Sequence, residues 1–285
     1  MNMILLDGKK IAQNIKNQLK ENIDNIIKDG GRAPHLVIIL VGDVLASQIY
    51  VRNKIKACEY VGIKATVINK NSSITNDELL TLINLLNNDN SVDGIIVQLP
   101  LPKHINEQLI SNSVNPKKDV DGFGIENKGR LFSGLQCFQS ATPYGIIKLL
   151  EAYNINLTGM NAVVVGRSNI VGKPMSIMLL EKNATVTICH SKTKDLKDIT
   201  KKADLLVVAI GKPKFIKEDM IKDNAIVIDV GMNRDEQGLC GDVDFINVAP
   251  KTSYITPVPG GVGPLTIAML LSNTVNAYII NRKKD

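Results

Sequence analysis

Short apolar runs alternate along the first half of the chain with longer stretches whose apolar residues recur every three or four positions. The short runs predict buried strands, and the longer stretches predict amphipathic helices. Such an alternation of strands and helices is typical of an α/β domain. The predicted helices cover 9–28, 47–61 and 76–87, and the predicted strands cover 36–41, 65–69 and 94–99.

A second pattern of the same kind follows and predicts a parallel sheet with crossover helices. Its apolar runs cover 162–165, 184–189, 204–210 and 225–230. An apolar helix over 265–280 closes the chain, and we expect it to pack back on the first domain. The 112–141 stretch has few apolar runs and many Gly, Asp and Lys residues, which places the linker near 133–140. A length of 285 residues fits two domains. We predict one domain over 1–138 with 267–285 and another over 139–266.

A loop with a glycine at each end, Gly166 and Gly172, joins the 162–165 run to a helical pattern. A glycine permits a sharp turn, and the N–H groups and positive dipole of the following helix end attract a phosphate. The spacing is not G-x-G-x-x-G, so a tight turn without a ligand remains an alternative. After the next strand, residues 190–193 read His-Ser-Lys-Thr where an NAD enzyme has an acid. Arg167 could reach the same place, which favours NADP over NAD.

The composition and charge favour a globular protein that binds a small molecule. Hydrophobic residues make up 44% and charged residues 22%, as in globular proteins. The net charge of +6 is spread along the chain and Trp is absent, which suits a polyanionic small molecule better than nucleic acid. No apolar run approaches the roughly 18 residues of a membrane span, and no basic region precedes the short N-terminal apolar stretch. We therefore expect no membrane association and a cytoplasmic location. The four cysteines and three histidines are scattered, which predicts neither a metal site nor disulfides.

Tyr50 and Lys54 stand four residues apart on a strip of the predicted 47–61 helix at the border of the core. A lysine there is either a solvated surface group or a catalytic one. Short-chain dehydrogenases also have a Y-x-x-x-K pair, but theirs follows the glycine-rich loop. Here the pair precedes that loop, so that family does not fit.

Three further segments carry candidate polar or glycine residues. Gln98 lies near the carboxyl end of a strand, where it could bind a ligand or a neighbouring loop. Asp119 and Asp121, in K-D-V-D-G-F, could bind a metal, cap a turn or accept hydrogen bonds from an amino-pyrimidine ring. The glycines of 257–264 allow close approach of a ligand or form a rigid entry to the last helix.

Together these segments resemble the bifunctional methylenetetrahydrofolate dehydrogenase/cyclohydrolase (FolD) family over nearly the whole chain and in family order. The matching motifs are A-S-x-x-Y-x-x-x-K at 46–54, D-G-I-I-V-Q-L-P-L-P at 93–102, K-D-V-D-G-F at 118–123, V-G-R-S-x-I-V-G-x-P at 165–174 and P-V-P-G-G-V-G-P-x-T at 257–266.

The resemblance implies an α/β folate-binding catalytic domain, a Rossmann-type NADP-binding domain and a homodimer. It implies oxidation of 5,10-methylenetetrahydrofolate with NADP, followed by hydrolysis to 10-formyltetrahydrofolate. The implied catalytic residues are Lys54 for proton transfer, Tyr50 stacking on the folate ring, Gln98 tuning Lys54, and Asp121 on the pterin. Leu99 and Pro259, Gly260 and Gly261 would complete the substrate site. The implied cofactor contacts are Gly166, Arg167, Ser168, Ile170, Val171, Gly172, Pro174, His190, Ser191, Gly231, Met232 and Thr266, with Arg167 and Ser191 on the 2′-phosphate.

The sequence departs from the family at Gly124, where His is usual, at 140–143 and at 43–45. We expect Gly124 to loosen the loop after Asp121. One rival interpretation is a dehydrogenase of an amino or hydroxy acid, which gives Tyr50, Lys54, Gln98 and Asp121 no joint task. Another is a folate- and NADP-binding protein with reduced or lost activity.

Overall fold

The computed structural model describes residues 3–236 and 238–282, with Ala46 described for its backbone only. The chain divides into two compact units. Unit 1 comprises Met1–Ala12 and Thr142–Thr266, and unit 2 comprises Gln13–Ala141 and Ile267–Asp285. The domain prediction had placed the first residues in the folate-binding domain. They lie in unit 1 because β1 (Ile4–Leu5) pairs in parallel with β11 (Tyr254–Ile255) in the sheet of that unit.

Unit 1 contains a parallel sheet in the order β1-β11-β8-β7-β5-β6. The other strands of this sheet are β5 (Asn161–Val165), β6 (Thr185–Cys189), β7 (Leu205–Val208) and β8 (Ile226–Asp229). Its helices are α6 (Ala141–Ala152), α7 (Gly172–Glu181), α8 (Leu196–Thr200) and α9 (Phe245–Val248). A separate antiparallel hairpin is formed by β9 (Asn233–Asp235) and β10 (Gly238–Cys240). Every residue of β7 and β8 is buried, which explains their uninterrupted apolar sequences.

The strand order of unit 1 reverses at β5. The chain runs from β5 through α7 to β6 on one side, and it then returns to β7 on the other side of β5. In open α/β sheets, such a reversal leaves a crevice at the carboxyl ends of the strands, where ligands bind. The loops that follow β5, β6, β7 and β8 all begin at this edge.

Unit 2 contains a three-stranded parallel sheet in the order β3-β2-β4. Its strands are β2 (His35–Val41), β3 (Lys64–Lys70) and β4 (Gly94–Val97). Its helices are α2 (Leu45–Val61), α3 (Asn76–Asn88), α4 (Glu107–Ser113), α5 (Ile125–Phe132) and most of α1 (Gly8–Lys28). The central strand, β2, is buried throughout. Helix α3 begins at a capping box, in which Thr75 and Glu78 each bond the other's backbone N–H group.

The last helix, α10 (Val262–Ile280), lies in unit 2 from Ile267 onward. Its Asn273 is buried and donates hydrogen bonds to the carbonyl oxygens of Val120 (2.8 Å) and Gln139 (3.0 Å). The predicted packing of the C-terminal helix on the first domain is confirmed. By length and hydropathy α10 could also cross a membrane, but the core helix of a globular protein passes the same test, and 56% of its most apolar 18-residue stretch is buried.

Candidate active site

Helix α2 places Lys54 and Tyr50 in contact with each other within unit 2. Lys54 is only 4% exposed, so the interpretation as a solvated surface lysine is wrong. Its Nζ lies 5.7 Å from the centre of the Tyr50 ring, within the range of a cation–π interaction. Tyr50 itself is half-buried. The pair therefore sets an aromatic ring beside a buried amine.

Gln98 follows β4 and is the hydrogen-bond partner of this amine. Its backbone N–H donates to Ile39 of the central strand at 2.9 Å, which fixes the residue at the carboxyl edge of the sheet. The side-chain Nε2 donates to the Leu99 carbonyl at 2.7 Å, while Oε1 accepts from Lys54 Nζ at 3.1 Å. The two bonds orient the carboxamide with its oxygen toward Lys54. The alternative of a bond to neighbouring backbone is confirmed, and a contact between Gln98 and a ligand stays a prediction.

The two aspartates of K-D-V-D-G-F take different positions. Asp119 is buried and accepts hydrogen bonds from the N–H groups of Phe123 (3.1 Å) and Gly124 (2.8 Å) and from Asn127 Nδ2 (2.9 Å). It therefore caps the turn. Asp121 is half-buried, and burial raises the pKa of its carboxyl group, while the positive charge of Lys54 acts in the opposite direction. Asp121 therefore lies within range of the positive charge of Lys54.

Ser47 is a further candidate site residue, and the sequence reasoning did not single it out. It lies on α2 two helical turns before Lys54, and therefore on the same side of the helix. Its Oγ is buried and has no hydrogen-bond partner within the described part of the chain. A buried polar atom without a partner indicates a position where a ligand or a water molecule can bind. The signal was available in the sequence, since the serine is part of A-S-x-x-Y-x-x-x-K.

Gly124 is held more firmly than we expected from the sequence. It is buried, begins α5 as its N-cap, and donates its N–H group to Asp119. Its φ of −67° is available to any residue, so the backbone does not require glycine here. A Cβ at this position would lie 3.0 Å from Asp119 Oδ2. A larger residue therefore fits only if that carboxylate shifts by a few tenths of an ångström.

We expect Asp119→Ala to lower the free energy of unfolding by about 1–3 kcal/mol or more, because the variant leaves buried donors without an acceptor. Urea denaturation of the purified variant measures the loss. Glu126→Gln is the matched control, since this acid is exposed on the first turn of α5. Equal stabilities for the two variants would show that Asp119 does not hold the turn.

The loop after β5 in unit 1 has the sharp turn that the glycine pattern predicted. Gly166 has φ 137°, and a Cβ there would overlap the Ala209 carbonyl oxygen, so only glycine fits. We expected the N–H groups at the start of α7 to face an anion, but the structure shows them bonded within the loop. Ser168 Oγ accepts hydrogen bonds from Val171 (3.1 Å) and Gly172 (3.3 Å). The loop is therefore folded by its own serine.

The turn after β6 presents cations and hydroxyl groups. The His190 N–H group donates to Thr193 Oγ1 at 2.8 Å, and the Lys192 N–H group donates to His190 Nδ1 at 3.1 Å. These bonds leave the side chains of Ser191 and Lys192 exposed, as is Arg167. Residues 190–194 include no acid. The residues present therefore fit a phosphate group better than a ribose 2′-hydroxyl.

The remaining predicted residues all lie in unit 1. Gly231 is buried and Met232 is exposed directly after β8, and Thr266 Oγ1 is 2.9 Å from Thr142 Oγ1. The other cofactor candidates, which lie in the loop and the first turn of α7, are the half-buried Ile170 and the buried Pro174. Pro259, Gly260 and Gly261 precede α10, and the Gly260 carbonyl accepts from the Lys9 N–H group at 2.9 Å.

The structure thus joins Tyr50, Lys54 and Gln98 by direct contacts in unit 2, with Asp121 within electrostatic range of Lys54. It places the candidate cofactor residues in unit 1. In residues 3–236 and 238–282, no group of three or more His, Cys, Asp or Glu side chains is placed to hold a metal ion.

A parallel sheet whose strand order reverses at β5, with a glycine turn directly after that strand, is the arrangement of nucleotide-binding α/β domains. The chain belongs to the tetrahydrofolate dehydrogenase/cyclohydrolase family. Residues 6–121 match the family's catalytic domain, and residues 140–282 match its NAD(P)-binding domain. The resemblance predicted from the sequence motifs is confirmed.

Known proteins are similar over almost the full length. The bifunctional protein FolD of Agathobacter rectalis is 57% identical over 96% of this chain and 98% of its own. The crystal structure of the bifunctional FolD enzyme from Campylobacter jejuni has a TM-score of 0.96 and 54% identity, covering 98% of this chain and 99% of that one. The FolD enzyme of Trypanosoma brucei, solved with NADP and an inhibitor, has a TM-score of 0.94 and 33% identity, covering both chains fully.

Proposed function

We propose that this chain oxidises 5,10-methylenetetrahydrofolate to the 5,10-methenyl form with NADP and then hydrolyses that product to 10-formyltetrahydrofolate. The observation that carries the proposal is the hydrogen bond from buried Lys54 to Gln98, beside Tyr50 and in the field of Asp121. The motif resemblance assigns these same side chains to catalysis, and they lie in the part of the chain that matches the family's catalytic domain. The rival interpretation as a dehydrogenase of an amino or hydroxy acid assigns them no shared task.

The oxidation needs positioning rather than a base. NADP, when bound, supplies the acceptor for the hydride. Loss of the hydride leaves a cation that is shared by two folate nitrogens, so no proton has to be removed in that step. The chain's contribution is to hold the folate ring in place, and the half-buried ring of Tyr50 offers a stacking surface for this.

The hydrolysis needs a group that takes a proton from the attacking water. The Lys54 nitrogen, when unprotonated, can accept that proton, and its burial keeps bulk water from competing. Gln98 fixes the direction of the amine through its carbonyl oxygen. Because a carboxamide is neutral, it orients the amine without placing a fixed negative charge beside the cationic substrate.

Asp121 is suited to the pterin ring. A carboxyl group in a half-buried position can bind the amino and ring nitrogens of an amino-pyrimidine in pairs. The neighbouring Asp119 is occupied in capping the turn and leaves this task to Asp121. We assign Leu99 and the Pro259–Gly261 segment to the same substrate.

On the cofactor side, we assign the 2′-phosphate of NADP to Arg167 and Ser191. Both side chains are exposed, and no acid in residues 190–194 opposes the phosphate. We expect the pyrophosphate to lie against the loop that turns at Gly166, while Ser168 bonds the N–H groups of Val171 and Gly172 at the start of α7.

We further propose that the protein is a cytoplasmic homodimer that binds neither nucleic acid nor membranes. Strand β6 ends the sheet of unit 1, and its Thr185, Thr187 and Ile188 side chains are exposed. An exposed edge strand of this kind tends to pair with another chain. Sedimentation of the wild type and of Ile188→Lys tests the dimer: the variant should sediment as a monomer if β6 pairs, and a monomeric wild type would contradict the proposal.

An assay of the purified protein with methylenetetrahydrofolate and NADP tests the function. Reduced cofactor and the methenyl chromophore should appear together, and the chromophore should then decay as 10-formyltetrahydrofolate forms. If both ligands bind but neither activity is found, the chain is instead a folate- and NADP-binding protein that has lost activity.

A further inference from the structure

Two buried aspartates lie at the carboxyl edge of the unit 1 sheet, and neither was assigned a role from the sequence. Asp229 is the last residue of β8 and is 3% exposed, and Asp242 follows β10 and is 0% exposed. Buried carboxylates are costly unless they are fully bonded. Their bonding partners therefore show what they hold in place.

Within the described residues, Asp242 accepts four hydrogen bonds. Its Oδ2 accepts from the N–H groups of Ile210 (2.7 Å) and Gly211 (3.0 Å), and its Oδ1 accepts from the N–H group of Lys212 (2.8 Å). These three residues form the loop that leaves β7. The fourth donor is Asn233 Nδ2, at 2.8 Å from Oδ1, in the segment that leaves β8. One carboxylate thus joins the loops of two adjacent strands.

Asp229 holds Asp242 in its place. Its Oδ1 accepts from the N–H groups of Gly231 and Asp242, both at 2.9 Å, and its Oδ2 accepts from the Val243 N–H group at 2.9 Å. The packing is tight, since a Cβ on Gly231 would lie 2.5 Å from the Asp242 Cγ. Any side chain at Gly231 would therefore push the Asp242 carboxylate away from the two loops.

The loops after β7 and β8 lie on the side where the nicotinamide half of the proposed cofactor would bind. The residues assigned to the 2′-phosphate are Arg167 and Ser191, at the ends of β5 and β6. A dinucleotide that crosses the reversal point of the sheet must extend its other half over β7 and β8. The ladder bonds from Ala209 to Val165 and from Val230 to Val208 place the β7 and β8 loops in that order along the edge.

We propose that Asp242 is a positioning residue for the nicotinamide half of NADP, acting through the 210–212 loop and Asn233. The inference rests on the proposed function. In it the Asp242 carboxylate touches neither cofactor nor substrate, but it fixes the backbone of the 210–212 loop and the Asn233 amide, which contact the cofactor. Because Asp242 bonds no residue of the β5 or β6 loops among its described contacts, the adenosine half should be bound independently of it.

The test is Asp242→Asn, which preserves shape but turns one acceptor oxygen into a donor that opposes the N–H groups. Calorimetry compares NADP with 2′-phospho-ADP-ribose, which lacks only the nicotinamide. We expect NADP affinity to fall by about tenfold or more, while affinity for the fragment stays within about twofold. Hydrolysis of methenyltetrahydrofolate, assayed without cofactor, should be retained. The matched control is Asp244→Asn, because Asp244 pairs with Lys217 and Asn247 and should leave both affinities unchanged.

Equal losses for NADP and the fragment, or no loss for either, would overturn the inference. If Asp242→Asn does not fold, Asn233→Ala takes its place, because it removes one donor and leaves the carboxylate. That variant should weaken NADP binding but not fragment binding, and unchanged NADP binding would again overturn the role. A wild-type protein that fails to bind the fragment would instead contradict the proposed function itself.

Discussion

Lys54→Met is expected to lower the methenyltetrahydrofolate cyclohydrolase activity by about 10²–10⁴-fold, the usual effect of removing a positioned proton-transfer group. Methionine fills the same buried volume but has no amine to accept a proton from water. The dehydrogenase activity should fall much less, because hydride transfer requires no base. Separate assays of the two steps, started from methylene- and methenyltetrahydrofolate, measure the difference.

Lys56→Met is the matched control, since Lys56 lies on the same helix but is exposed. It should leave both activities close to those of the wild type. If hydrolysis survives in Lys54→Met, then Lys54 is not the proton acceptor, and Asp121 becomes the next candidate.

Arg167→Ala is expected to raise the Michaelis constant for NADP by about ten- to hundredfold, the range for loss of one charge-assisted contact. The Michaelis constant for NAD should remain nearly unchanged, because NAD has no 2′-phosphate for the guanidinium group to bind. The arginine is exposed, so its loss should leave the fold intact. Initial rates with each cofactor, at saturating folate, give the comparison.

Lys182→Ala serves as the control for a lost surface cation. Lys182 lies at the opposite end of α7, where it pairs with Glu151. It should affect neither cofactor. An equal loss of NADP and NAD use in Arg167→Ala would contradict the assignment of Arg167 to the 2′-phosphate.

The regular elements were predicted well where the hydrophobic pattern was long. Helix α1 and the pairs of strands and helices around β2 lie within a few residues of their predicted ranges, because burial imposes a period on many successive positions. Strands β1 and β11 were not predicted. Each has two residues, too few to show any period, and only their pairing in the sheet reveals them.

The predicted strands 204–210 and 225–230 are longer than the observed β7 and β8. Their last apolar residues, Ile210 and Val230, lie beyond the strand ends and belong to the loops of the carboxyl edge. The sequence is still apolar at these positions, although the strands have already ended. The pattern alone therefore could not separate the strand from the loop that would contact the cofactor.

The candidate site was predictable as residue types but not as contacts. The spacing of Tyr50 and Lys54 placed them on one strip of a helix, yet their bonding to Gln98 depends on how α2 packs against the end of β4. The roles of Asp229 and Asp242 had no local signal at all. The sequence does not distinguish a buried aspartate from an exposed one, because its hydrogen-bond donors come from segments that only the fold brings close.

The division of the chain into units has a consequence for its synthesis. Each unit is built from two separate pieces of sequence, and the second piece of each comes late. Ile4 cannot pair until Tyr254 has left the ribosome, and Asn273 must also be made before the Val120 and Gln139 carbonyl oxygens gain its hydrogen bonds. Each unit therefore completes its contacts only after most of the other has been synthesised, and the nascent chain carries partly folded segments until α10 has emerged.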